Sequence, residues 1–236
     1  MIFARMNNAI SHLLPKICEH PLNIALLKGT LPRHVFRFYL EQDYFYLSDF
    51  AQALNITAKK LSSKKHADEL TAFSREIIQS RENLHLKYLG EPRSSRFFQP
   101  QRLNTAKIPV ISFYTKHLLT TARTSTPAEA IASIIPCPLL YCTAGIKMLA
   151  NPDFTVKNPY YSWILSYSNQ QFTSAGKSMV RIAEELGNKT PCPIIKENMI
   201  SAFVKSAEYE ILFLDSVYKN MDAANESHMQ NTRAFK

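Results

Sequence analysis

Apolar residues recur along this chain at intervals of three and four, the spacing of a helix face, rather than at the alternating interval of a strand. Residues 2–19 read as a first helix, with Phe3, Met6, Ile10, Leu13 and Ile17 on one side. Residues 32–60 read as a long second one, with Pro32 in its first turn and Phe36, Tyr39, Asp43, Leu47, Phe50 and Leu54 along one stripe. A third covers residues 64–89 and is stopped by Gly90 and Pro92. Residues 90–106 lack periodicity and read as a loop, after which a helix resumes over 108–123.

The run STPAEA at 125–130 carries a start signal: Thr126 as cap, Pro127 at the first position and Glu129 in the first turn. The helix that follows is disturbed at Pro136-Cys137-Pro138 and continues to about Leu149. Two more are expected over 160–186, ended by Gly187-Asn188, and over 193–220. No repeat or dividing linker interrupts the pattern. The expectation is an all-α, bundle-like single domain over 1–221, followed by a polar, frayed tail over 222–236.

Composition agrees. Hydrophobic residues make up 46% and charged ones 20%, as in a globular domain, and only 5 glycines are available for tight turns. The N-terminal residues carry no continuous apolar core with a small-residue cleavage site. The longest apolar run, Ala130–Leu140, holds two prolines, so no stretch is expected to span a bilayer, and a cytoplasmic protein without a membrane partner is expected. The four cysteines (Cys18, Cys137, Cys142 and Cys192) lack paired spacing, which argues against a disulfide framework and against a zinc site. The net charge of +9 is spread through the chain, with short runs only at Lys59-Lys60 and Lys64-Lys65. This describes a solvated basic face rather than a nucleic-acid surface.

Polar residues that break into apolar stripes carry the chemical information, because burying them is costly without a partner. Asp43 shares a helix face with Phe36, Tyr39, Tyr46 and Phe50. Spacing alone leaves open whether it serves a site, lies on the stripe's edge or pairs with a core arginine. Glu210 interrupts the stripe of Phe203, Ser206, Phe213 and Val217, while Glu208 and Asp215 are placed for solvent. A partly exposed helical glutamate is the competing assignment. Cys137 lies between two prolines; if the helix restarts there, the dipole at its N-terminus lowers the thiol pKa. For an isolated cysteine the inert buried thiol is the commoner outcome. Tyr114, Tyr141 and Tyr167, on three different helices, can each stack on a flat ring while offering a hydroxyl, or simply fill the core. Glu82 and His85 form a Glu-x-x-His pair of the spacing used in di-iron bundles, but the second copy such sites need is missing.

Taken together, five segments resemble the TenA/thiaminase II family over nearly the whole chain. They are LKGTLPRHVFRFYLEQDYFYLSDFAQAL at 27–54, ENLHLKYL at 82–89, PCPLLY at 136–141, YSWILSYSNQQF at 161–172 and SAEYEILFLD at 206–215. The resemblance implies a haem-oxygenase-like helical fold without haem or other cofactor, assembled as a homotetramer. It also implies hydrolysis of aminopyrimidines, aminomethylpyrimidine or thiamin, to hydroxymethylpyrimidine. Carried over by motif, Cys137 is the nucleophile, Glu210 the general acid/base, and Asp43 holds the pyrimidine's ring nitrogen and amino group. Tyr46, Tyr114, Tyr141, Tyr167 and Phe213 line the pocket, with no metal. Leu214 departs from the family, which commonly has tryptophan there. The runner-up is an oxidase on the same scaffold, cofactor-free or di-iron.

Overall fold

The computed structural model describes residues 1–89 and 105–233, with side chains described as far as residue 219 except at Leu86 and Leu89. The described residues form helices joined by short connections and contain no strand, as the helical spacing predicts.

The N-terminal segment is three helices, α1 (Ile2–Ala9), α2 (Leu14–Cys18) and α3 (Pro21–Leu27), where spacing predicts one over 2–19. Pro15 is the reason for the break. It lacks an N–H and its ring clashes with the carbonyl four residues back, so it opens α2 as a first-turn residue instead of continuing α1. The α3 helix, absent from the expectation, is capped by His20, whose Nδ1 accepts from the Leu22 N–H.

The long α4 (Arg33–Lys59) begins one residue after Pro32, which caps it, and packs along α5 (Lys64–Leu89) and α6 (Pro109–Thr124). The Lys60 ammonium donates to carbonyls of Ala122, Arg123 and Ser125, closing the exposed end of α6. The expected cap at Thr126 is present as a full capping box with Glu129, opening α7 (Pro127–Ile134). Asn198 then donates to the other Glu129 oxygen at 2.7 Å and ties α7 to α11 (Pro193–Arg233). The last helix continues past Asn220 to Arg233, into the segment expected as a tail. The stop expected at Gly90 and Pro92, and the loop at 90–104, lie outside the described residues.

At Pro136 the chain leaves α7 and restarts as α8 (Pro136–Leu149), which puts Cys137 in a first turn. Together residues Pro127–Leu149 are long and apolar enough to cross a membrane, which corrects the expectation that no such stretch exists. In this fold 78% of the segment's most apolar 18-residue stretch is buried, as the centre of the bundle. The helix expected over 160–186 is likewise two, α9 (Tyr161–Ser166) and α10 (Gln170–Lys189). Asn169 causes the break: its side chain accepts the Phe172 N–H at 2.7 Å, an N-cap bond that a continuing helix does not allow. Tyr167 sits in the break, against Gly145 of α8.

Gly145 makes that approach possible. A Cβ there would lie 2.6 Å from the Tyr167 Cβ, closer than two carbons can pack. We predict that Gly145→Ala lowers stability by about 1–3 kcal/mol through displacement of Tyr167. Chemical denaturation checks it, the expected result being a lower midpoint at unchanged slope.

Candidate active site

A cavity of about 470 Å³ opens between α4, α5, α8, α9 and the start of α10. Its buried walls are Tyr39 and Asp43 of α4, His85 of α5, Cys137 and Tyr141 of α8, Trp163 of α9, and Tyr167. Its rim carries exposed polar residues, among them Gln79, Ser80, Asn83, Asn169 and Gln171. Asp43, Cys137, Tyr141 and Tyr167 are therefore brought together as the motifs imply.

Four other expected site residues stand elsewhere. Tyr46, Tyr114, Glu210 and Phe213 do not line the cavity but form a buried layer with it. Phe213 stacks on Tyr39 at 5.4 Å between ring centroids, backing that wall. Tyr46 and Tyr114 lie ring to ring at 4.9 Å, and both hydroxyls donate to Glu210 Oε1, at 3.5 and 2.7 Å. The spacing 39, 43, 46 on α4 turns all three side chains to the same interior face.

Glu210 is 1% exposed, with no basic group among its partners. Burial pushes its carboxyl pKa up to about 8, the tyrosine hydroxyls of Tyr114, Tyr141 and Tyr46 pull against that shift, and the nearby Asp43 carboxylate adds to it. Glu210 is thus a neutral acid at neutral pH. Leu214, four residues further along the same helix, is fully buried and belongs to the hydrophobic core.

Cys137 corrects one expectation. It does occupy a helix N-terminus, but its thiol pKa is raised well above the ordinary value rather than lowered. Burial is the largest cause and Glu210 the next, against a hydrogen bond with Tyr46 that lowers it. The dipole of a first turn amounts to about half a charge and does not outweigh full enclosure beside two carboxyl groups. At rest the proton stays on sulfur.

Asp43 is neither at a stripe edge nor paired with arginine. Its Oδ2 lies 3.0 Å from Nε2 of His85, which is 2% exposed. Glu82, the other half of the Glu-x-x-His pair, is exposed and lies 3.7 Å from Arg81. The two halves of that motif therefore face different surroundings, and no cluster of three metal-ligating side chains occurs among the described residues. Sequence reasoning also passed over Tyr39 and Trp163. The Trp163 indole donates to the Tyr167 hydroxyl at 2.7 Å, and Tyr39 shares a hydrogen bond with that same hydroxyl at 2.8 Å. The signal for Tyr39 was its place one turn before Asp43.

Such a site, a buried thiol beside a neutral carboxylic acid and an anchored aspartate in an aromatic-walled cavity, defines a helical protein equipped to hold a flat, polar-edged ring. The fold class is that of a domain of unknown function with a heme oxygenase-like fold from Shewanella denitrificans, matched at a TM-score of 0.66 and 13% identity over 94% of each chain. The TENA/THI-4/PQQC family model matches residues 9–220, and the chain belongs to that family. A TenA homologue from P. horikoshii OT3 superposes at a TM-score of 0.79, with 22% identity over 93% of this chain and 99% of that one. An uncharacterized protein of Haemophilus influenzae is 31% identical over 163 residues, 69% of this chain and 74% of its own. Aminopyrimidine aminohydrolase of Helicobacter pylori is 24% identical over 202 residues, 86% of this chain and 91% of that enzyme.

The Glu210 shift has a consequence for stability. Its folded pKa is raised, so its contribution is fully present below about 4.5 and is lost as pH climbs towards about 8. We predict that Glu210→Gln, which still accepts from Tyr114, gains on the wild type over that window. The gain is about 1.4 kcal/mol per pH unit. Denaturation midpoints of both proteins from pH 5 to pH 9 check it, the expected result being curves that diverge with rising pH.

Proposed function

We propose that the protein hydrolyses aminopyrimidines, exchanging the group on the pyrimidine's exocyclic methylene for hydroxyl in thiamin metabolism. One observation carries this: Cys137 and Asp43 line one aromatic cavity from two helices, and Glu210 of a third stands directly behind the Cys137 thiol. The relatives support it. Besides the Helicobacter pylori enzyme, the chain is 24% identical over 203 residues to a hydroxymethylpyrimidine/phosphomethylpyrimidine kinase of Saccharomyces cerevisiae, spanning 35% of that longer protein.

Asp43 binds the amidine-like edge of the ring, its ring nitrogen and amino group, while Tyr141 and Tyr167 supply the stacking walls. The leaving group departs slowly while the ring stays aromatic. Cys137 removes that barrier by addition: sulfur bonds to a ring carbon and the thiol proton ends on a ring nitrogen. A proton from Glu210 accompanies the departing amine of aminomethylpyrimidine; the thiazole of thiamin leaves neutral without one, and there the proton from the added water goes to solvent. Water then adds to the exocyclic methylene carbon and returns a proton to Glu210. Finally the carbon–sulfur bond breaks, the ring nitrogen gives back its proton to sulfur, and aromaticity returns. Because Glu210 contacts the thiol rather than lining the cavity, its protons reach the substrate by way of the Cys137 end. A raised carboxyl pKa suits a group that must both give and take a proton near neutrality. The working form on this reading is a cytoplasmic homotetramer.

We predict that Cys137→Ser loses at least a thousandfold in turnover of aminomethylpyrimidine and thiamin while still binding hydroxymethylpyrimidine, because it removes the nucleophile and leaves Asp43 in place. Steady-state kinetics and calorimetric titration check it. Turnover near wild type in that variant contradicts the nucleophile assignment.

A further inference from the structure

We propose that His85 is a positioning residue for the reaction, holding the Asp43 carboxylate so that its free oxygen meets the aminopyrimidine edge. This rests on the aminopyrimidine reading above and deepens it. An aspartate side chain ends in a carboxylate that turns freely about its last bond. One fixed oxygen fixes the direction of the other. His85 Nε2 sits 3.0 Å from Asp43 Oδ2, and both residues line the cavity. The imidazole is itself held in orientation. The Trp163 ring crosses it edge-on at 5.4 Å and 80°, and the Tyr44 ring at 6.4 Å and 72°.

Two further facts favour a role at the site over a role in packing. His85 is buried almost completely, which is costly for an imidazole that satisfies only one of its nitrogens. Nδ1 is buried without a partner, so the Asp43 bond is what the ring is placed to make. An apolar side chain would fill the same space without leaving an orphaned nitrogen. The Glu-x-x-His pair, which the reaction scheme above leaves unused, thereby acquires a function: its histidine orders the pyrimidine-binding carboxylate, and its glutamate belongs to the surface.

The test uses the full-length protein and two amide variants of similar chemistry and different reach. A glutamine amide reaches about as far as Nε2, whereas an asparagine amide ends near the Nδ1 position and falls short of Asp43. Affinity for hydroxymethylpyrimidine is measured by calorimetry, KM and kcat with aminomethylpyrimidine and thiamin, and folding by thermal melting. His85→Asn is expected to weaken binding and raise KM tenfold or more, with kcat falling less, while His85→Gln stays within about threefold of wild type. In an Asp43→Asn background, His85→Asn is expected to change binding less than twofold, because the bond it removes is already altered. Wild-type KM and affinity in a folded His85→Asn protein overturn the proposal and leave the function standing. So does an equal loss in both Asp43 backgrounds, or an equal loss in the asparagine and glutamine variants. If the wild type turns over neither substrate, the aminopyrimidine reading itself fails, and this proposal with it.

Discussion

The costliest feature of this structure is a carboxyl group enclosed in the middle of the bundle without a countercharge. Glu210 is surrounded by Tyr46, Tyr114, Tyr141 and Cys137, and the cheapest way to keep it there is to leave its proton on. Much of the architecture follows from that constraint. The α4 and α6 helices bring tyrosine hydroxyls to one carboxyl oxygen, since a neutral acid still needs hydrogen-bond partners. The break at Pro136 lets α8 bring Cys137 and Tyr141 up to the same point. Asp43 lies close enough to raise the Glu210 pKa further.

The same enclosure explains why the thiol keeps its proton. A free thiolate would add a second negative charge to that of Asp43 in a dry space, and burial rather than the helix dipole decides its pKa. With both protons in place at rest, the proposed mechanism makes nucleophilic attack and proton transfer one event, triggered by the ring that enters. The hydrogen-bonded chain of Tyr39, Tyr167 and Trp163 braces the cavity wall, and Gly145 admits it. On the proposed reading the cavity is preorganised, and its polar rim meets whatever the pyrimidine carries.

Much of this was legible in the sequence, and the failures have physical causes. The helical period exposed the all-α class, and the polar interruptions at Asp43 and Glu210 marked positions that turned out to be buried together, 8% and 1% exposed. The Thr126 cap and a disturbance of the helix at Pro136-Cys137-Pro138 followed from local backbone chemistry alone, and packing made that disturbance a restart at Pro136. Pro15 and Asn169 were underweighted as breakers because the apolar stripe runs on past them, and periodicity records which face is apolar, not whether the backbone stays continuous. The thiol pKa was misjudged in direction, since a dipole can be placed from sequence but enclosure by distant residues cannot. His85 was noticed for its spacing to Glu82, whereas its partner lies 42 residues away on another helix. Distances of that kind exist only once α4 and α5 have packed.

The central claim is that Glu210 is a neutral acid at the pH where the protein works. Carbon-detected NMR of protein labelled with 13C at the glutamate carboxyl carbons, titrated from pH 4 to pH 10, tests it most directly, with Glu210→Gln as the assignment control. One carboxyl resonance, absent from that variant, is predicted to titrate near 8. A Glu210 resonance that finishes titrating below about 6 contradicts the account.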